Sequence, residues 1–308
     1  MMRSSRSPVA VTASLTAHIK AEATRTGVPF DRVKRRFVMS RFLERVFTAD
    51  PDGWILKGGV GMMIRLPQAR HSRDIDMMRM PRDDGHDGRA VDELQQLVHS
   101  NSIDPLAFDI TSTRTMAADK GLRITVAARL GLKTFDSFPI DLAAWQGVVG
   151  EVEHHALSQI PDLDDFPVSA TIRLYPLADQ IADKLCAMYE QHALPDGRKV
   201  ASSRYRDLVD LLLISGNLAI SMTSTVAALE KQRAHRNILL PNAFQVPGAG
   251  WSSNWSATAK ESPLAAELHD LTTALDIGGR CYGRILAALP AGRQPPDTWN
   301  PRLSRWTS

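Results

Sequence analysis

Two aspartates flank a single isoleucine at Asp74–Ile75–Asp76, and this triplet constrains the chain more than any other stretch. The residues around it, Arg73 to Met80, alternate as a strand does. In a strand, residues two apart project to one side, so both carboxylates stand together while Ile75 points into a core. Two like charges that close raise each other's pKa unless a cation lies between them. Magnesium, or manganese in its place, relieves the repulsion, because such ions favour a few carboxylates together with substrate phosphates.

An Asp-x-Asp alone is common in solvated loops, so its surroundings carry the argument. Upstream, Trp54-Ile55-Leu56 follows an Asp52-Gly53 turn and reads as a short buried strand ending at Lys57-Gly58-Gly59, with a helical segment through Met62, Met63 and Ile64. Free backbone N–H groups at such a helix start can hold phosphate. Downstream, Asp141 is an acid on the otherwise apolar strand Phe138–Leu142. Burying a carboxylate there is costly unless it is paired or ligated, so Asp141 is the third member of the set; an edge-strand or turn position is the alternative.

A cation in an apolar stripe adds to this. In the helix expected over 177–192, the 100° step per residue sets Lys184 between Leu177, Ile181 and Met188. Asp207 shares a face with Leu211 and Ile214 on the next helix. Such charges must be paired or must serve a ligand. Either Lys184 and Asp207 form a buried ion pair between two helices, or Lys184 neutralises phosphate charge while Asp207 positions it or a substrate hydroxyl.

Around these residues the pattern gives two domains of an α+β protein. Helices are expected over about 12–25 and 31–47, broken at Gly27-Val28-Pro29, with Asp31 as the N-cap of the second. That second helix carries Arg32, Lys34, Arg35, Arg36, Arg41 and Arg45, which read as a solvated basic face or a surface for an RNA backbone. Strands follow at 106–111, 122–128, 138–143 and 171–175, then helices over 177–192, 203–216, 221–235 and 261–288. The stretch Pro241 to Trp255 reads as a loop, the tail after Pro290 as loose, and the first residues as a frayed tail leading into a helix. The division expected is a mixed-sheet domain over 1–170 and a mainly helical one over 171–308 that contributes Lys184 and Asp207.

The net charge of +3 is too small to define a nucleic-acid partner, although a local patch suffices for one. Two cysteines far apart, Cys186 and Cys281, argue against a disulfide framework or zinc site and suit a reducing cytoplasm. The apolar runs fall far short of the roughly 20 residues that span a bilayer. There is no GxxxxGK[ST], GxSxG or HExxH, and His154-His155 reads as a loop feature.

Taken in order, Gly58-Gly59, Arg70 to Asp76, Asp141, Asp183-Lys184-Leu185-Cys186-Ala187 and Arg206-Asp207-Leu208-Val209-Asp210 resemble the AbiEii/AbiGii toxin family of nucleotidyltransferases, over about residues 30–220. Val60 stands where relatives often have Ser or Thr after the glycines, which puts one phosphate contact in question, and His71 intrudes beside the catalytic strand with no role assigned to it. The resemblance implies a DNA polymerase β-like fold that binds a nucleoside triphosphate with magnesium. Asp74 and Asp76 would hold the metals, with Asp141 completing the metal site and helping to activate an acceptor hydroxyl, and with Gly58, Gly59, Arg70, Ser72 and Lys184 on the nucleotide. It further implies transfer of nucleotides to tRNA 3′ ends, so that aminoacylation and translation are blocked, and restraint by an antitoxin protein. Transfer to a protein or small molecule, and a catalytically silent module that binds RNA or a partner, remain alternatives. Ser72, two residues from Asp74, is a candidate phosphorylation switch, since a phosphate there would oppose triphosphate binding.

Overall fold

The computed structural model describes residues 7–81, 90–100, 103–116, 121–158, 161, 163–164, 166–194, 196–289 and 296–308. The expected frayed tail falls largely on residues 1–6 and lies outside them. The chain divides into two compact units: residues 1–65, 71–146 and 153–174 form the first, and 66–70, 147–152 and 175–308 the second.

The first unit opens with α1 (Pro8–Thr26), capped by Ser7 and ended by Gly27 at φ 70°. Proline at the first helical position and a left-handed glycine after the last turn are what start and stop it. Then come α2 (Phe30–Ala49), β1 (Trp54–Lys57), α3 (Gly58–Arg65), β2 (Ile75–Arg79), α4 (Ala90–Ser100), β3 (Leu106–Thr115), β4 (Gly121–Leu130), β5 (Lys133–Ala143), β6 (Glu153–Ala156) and β7 (Thr171–Leu174). The seven strands form one mixed sheet in the order β3-β4-β5-β2-β1-β7-β6, so β2 and β5 lie in its interior. β2 runs parallel to β5 and antiparallel to β1. Asp141 is therefore on a central strand, not at an edge, and His154-His155 belongs to β6 rather than to a loop.

α2 packs on one face of this sheet. Phe42 meets Phe108 and Phe138 edge-on, with ring centroids 5.5 and 5.6 Å apart. Phe37, Val46, Ile75, Ile124 and Ile140 fill the same core. The basic face expected on α2 fails at its C-terminal half, whereas Arg32 is exposed and Lys34, Arg35 and Arg36 are partly so. Arg41 and Arg45 are fully buried and share Asp104, through Arg41 Nε to Oδ2 at 2.8 Å and Arg45 Nη2 to Oδ1 at 2.9 Å. Arg41 also donates to the Pro167 carbonyl and Arg45 to that of Val98. Glu44, equally buried, accepts from the Ser169 and Ala170 backbone N–H groups. Cations cannot stay buried without such partners, and the sequence gives no sign that Asp104 supplies one. Nor does Asp31 cap the helix: the N-cap is Pro29, and Asp31 sits in the first turn.

The second unit is mainly helical. It contains α5 (Leu177–Tyr189), β8 (Gln191–Ala193), β9 (Lys199–Ala201), α6 (Tyr205–Asn217), β10 (Ile220–Ser221), α7 (Met222–His235), α8 (Trp251–Lys260), α9 (Leu271–Ala288), β11 (Thr298–Asn300) and β12 (Arg305–Thr307). Three expectations are corrected here. The Pro241–Trp255 stretch does not stay a loop, since α8 starts at Trp251; the described tail, 296–308, folds as β11 and β12 beside β10. The reason is apolar area with a polar tip. Trp251, Trp255 and Trp299 are buried, and each indole N–H finds a carbonyl, of Ser202, Leu268 and Ser215 at 2.8, 3.0 and 2.7 Å. The single helix expected over 261–288 begins at Leu271, where Asp270 caps it by accepting from the Thr273 N–H. Among the described residues, no helix is long and apolar enough to cross a membrane.

Candidate active site

In the first unit, strand register sets two of the three expected carboxylates on neighbouring strands, with the third just before one of them. Asp76 on β2 is directly opposite Asp141 on β5, and Asp74 precedes β2 by one residue. Ile75 between them is completely buried, which pins the strand and turns both neighbouring carboxylates to the other face. Across the sheet the register continues as one row: Arg114 on β3, Arg123 on β4, Asp141, Asp76 and Lys57 on β1.

The β1–α3 turn is built to approach this row. Gly58 has φ +61°, and a Cβ there would come within 1.8 Å of Asp76 Oδ2; at Gly59 it would come within 2.5 Å of Ser72 Oγ. Only glycine allows the helix start to lie so close to the carboxylate strand. Ser72 donates from Oγ to Asp74 Oδ1 at 2.9 Å. Ser72 also lines a mainly apolar pocket with Arg36, Met39, Leu43, Val60 and Met63.

Arg123 was not anticipated from the sequence. Its guanidinium bridges two of the acids, with Nε 3.2 Å from Asp141 Oδ1 and Nη2 3.6 Å from Asp74 Oδ2. Its place is legible only once β4 is known to pair with β5. The Asp141 carboxyl lies above its ordinary value: burial drives it up, Arg123 draws it back, Asp74 raises it further and Arg114 opposes. His71, half-buried, is held below the usual imidazole value by burial and by Arg32 and Arg36.

Among the described residues, no three His, Cys, Asp or Glu side chains are gathered as a metal-binding group. The donors nevertheless fit a small divalent cation. They are carboxylate oxygens throughout, and Asp141 Oδ1 makes no hydrogen bond, although Arg123 Nε lies 3.2 Å from it in an ion pair.

The second unit holds a separate charged cluster. Lys184 Nζ lies 2.6 Å from Asp210 Oδ2 and 3.2 Å from Asp207 Oδ1. Arg204 Nε donates to Asp207 Oδ2 at 2.7 Å, and Arg70 donates to both Asp210 oxygens at 2.9 Å. The buried ion pair weighed for Lys184 and Asp207 is thus present, enlarged by Asp210, which lies one helical turn beyond Asp207 on α6. Asp210 stands in the motif read from the sequence, but its role as an anchor for Lys184 was missed. Burial lowers the Lys184 ammonium pKa, yet Asp210 and Asp207 together lift it above the ordinary lysine value. Arg70, expected on the phosphates, is held here in a bidentate pair.

A search of curated proteins found no match. Among solved structures, the chain is similar to MenT4, a nucleotidyltransferase toxin from Mycobacterium tuberculosis, with 18% identity over 90% of this chain and 98% of that one and a TM-score of 0.48. It is also similar to JHP933 from Helicobacter pylori, with 15% identity over 85% and 94% of the two chains and a TM-score of 0.42. The profile described as "Nucleotidyl transferase AbiEii toxin, Type IV TA system" matches residues 41–277, most of the chain, including the row of carboxylates, Lys184 and Asp207. The chain belongs to the AbiEii family of nucleotidyl transferase toxins of type IV toxin–antitoxin systems.

Proposed function

We propose that this chain transfers a nucleotide from a nucleoside triphosphate to the 3′ end of tRNA in the presence of magnesium or manganese, and that an antitoxin protein restrains it. The observation that carries the reading is the register of Asp76 against Asp141, with Asp74 adjacent and Gly58 packed on Asp76. In the reaction, the acceptor hydroxyl oxygen forms a bond to the α-phosphorus, the bond to the β-phosphate oxygen breaks, and pyrophosphate leaves. Asp74, Asp76 and Asp141 would hold the divalent cation, which offsets the charge of the phosphates. Asp141, placed opposite Asp76, would also help to draw off the hydroxyl proton. The Gly58-Gly59 turn at the start of α3 and the Ser72 hydroxyl would face the nucleotide; Lys184, positioned by Asp207, would meet phosphate charge, and Arg70 would do so only on leaving its pair with Asp210.

Phosphorylation of Ser72 is the proposed regulatory event. Its hydroxyl already touches Asp74, so a phosphate would bring about two negative charges into a site that must accept a triphosphate.

The test is incubation of the chain with labelled nucleoside triphosphates, magnesium and total tRNA. Label is expected in tRNA with the wild type and in nothing with Asp74→Ala. Label in protein alone would replace tRNA as the acceptor, and no label at all would mark a silent binding module.

A further inference from the structure

The proposed function accounts for the three acids of the charged row but not for Arg114 at its far end. Arg114 on β3 stands directly opposite Arg123 on β4. Like charges facing each other across an antiparallel pair are destabilising. Arg123 is neutralised by Asp141 and Asp74, whereas Arg114 is exposed and, among the described residues, has no ion-pair partner.

A bulge in β3 creates this pairing. The register shifts between Ile110 and Ser112, so that Ser112 rather than Thr111 faces Thr125. Without the extra residue, Thr113 would oppose Arg123, and Arg114 would oppose Leu122 on the core side. Bulges of this kind re-aim side chains next to active sites. Here the bulge turns Arg114 onto the face of the carboxylates, with Ser112 and Thr125 as the next pair along the same face.

Position along the row decides what the arginine meets. The β1–α3 turn, where the triphosphate is proposed to lie, is on one side of Asp76 and Asp141; Arg123 and Arg114 are on the other. In-line displacement puts the attacking oxygen opposite the departing pyrophosphate, so the acceptor approaches from the arginine side. Arg114 is two strand spacings from Asp141, about 10 Å, the span of a backbone segment that follows a reactive end.

We infer that the paired strands β3 and β4, re-aimed by the bulge, are the acceptor track of this enzyme, with Arg114 holding a backbone phosphate of the nucleic-acid strand whose end lies at the carboxylates. This rests on the reading of an RNA acceptor. The test measures binding of fluorescently labelled bulk tRNA to the full chain over a range of salt, for wild type and Arg114→Gln, beside binding of a non-hydrolysable nucleoside triphosphate. Exposure of Arg114 means the variant keeps its fold, checked by circular dichroism. The expected result is a roughly 3- to 10-fold loss in tRNA affinity, a fall of about 0.7 in the slope of log affinity against log salt, and unchanged triphosphate binding. Wild-type binding with an identical slope and affinity in Arg114→Gln would overturn the track while leaving the RNA reading intact. Weakened triphosphate binding would assign Arg114 to the nucleotide instead, and absence of tRNA binding by the wild type would overturn the acceptor reading and the track with it.

Discussion

Lys184→Met separates what the lysine does for the fold from what it does for the reaction. The side chain is buried, with its ammonium 2.6 Å from Asp210 and 3.2 Å from Asp207. Methionine keeps much of the volume and removes the charge, leaving two buried carboxylates. Removing one member of a buried ion pair costs ~3–5 kcal/mol, mostly because the other charge stays behind. Both aspartates retain an arginine here: Arg70 grips Asp210 by two bonds, while Arg204, on Asp207, is 62% exposed and screened. The loss therefore belongs at the low end, about 3 kcal/mol. Urea unfolding followed by tryptophan fluorescence reads it well, because Trp251, Trp255 and Trp299 are buried in the same unit.

The pH dependence of that difference has a defined sign. Burial pushes the Asp207 carboxyl up, but Lys184 and Arg204 bring it below the ordinary value. Its contribution is present above the unfolded pKa of ~3.9 and is lost as pH falls through the folded one. The Lys184 ammonium is raised, so its contribution is full below the unfolded ~10.4 and is lost as pH rises through the folded value. The gap between wild type and Lys184→Met should thus be constant from about pH 5 to 9 and narrow on either side. A variant within about 1 kcal/mol of wild type throughout that window would refute the ion-pair argument. Transfer activity at a temperature where the variant is folded then tests the second role, and full activity would remove Lys184 from the nucleotide.

Gly58→Ala should abolish transfer while lowering stability by ~1–2 kcal/mol, the cost of a left-handed alanine, since its Cβ would displace the Asp76 carboxylate; undiminished turnover would show that the close approach is not needed. Ser72→Glu should lose activity and Ser72→Ala keep most of it in the labelled-nucleotide assay; an active glutamate variant would end the phosphorylation proposal. Trp299→Ala should cost ~3–5 kcal/mol in urea unfolding through loss of a buried indole and its bond to the Ser215 carbonyl, whereas a loose tail would give no change. Arg41→Leu, which takes one of two cations from the buried Asp104, should destabilise by about 3 kcal/mol; a neutral result would mean that Arg45 alone satisfies that carboxylate.

Local pattern alone determined the strand–glycine–helix turn at Gly58, the strand around Ile75 and the burial of Lys184, because side-chain periodicity and the expense of a buried charge act over a few residues. It also placed Asp76 and Asp141 on strands, with Asp74 falling just before the first of them. Partners distant in sequence were another matter. Asp104 beneath Arg41 and Arg45, Arg123 between Asp74 and Asp141, and Asp210 against Arg70 are separated from their mates by 63, 18 and 140 residues or comparable spans, and nothing in the local pattern ranks one acid above another. The tail that folds as β11 and β12 was illegible for the same reason, since its short strands form only against β10 and the carbonyl of Ser215. Packing of α2 and α6 decided the Asp104 and Asp210 pairings, while strand register decided that of Arg123; register is a property of the assembled sheet, where a single bulge in β3 moves Arg114 from the core side to the face of the carboxylates.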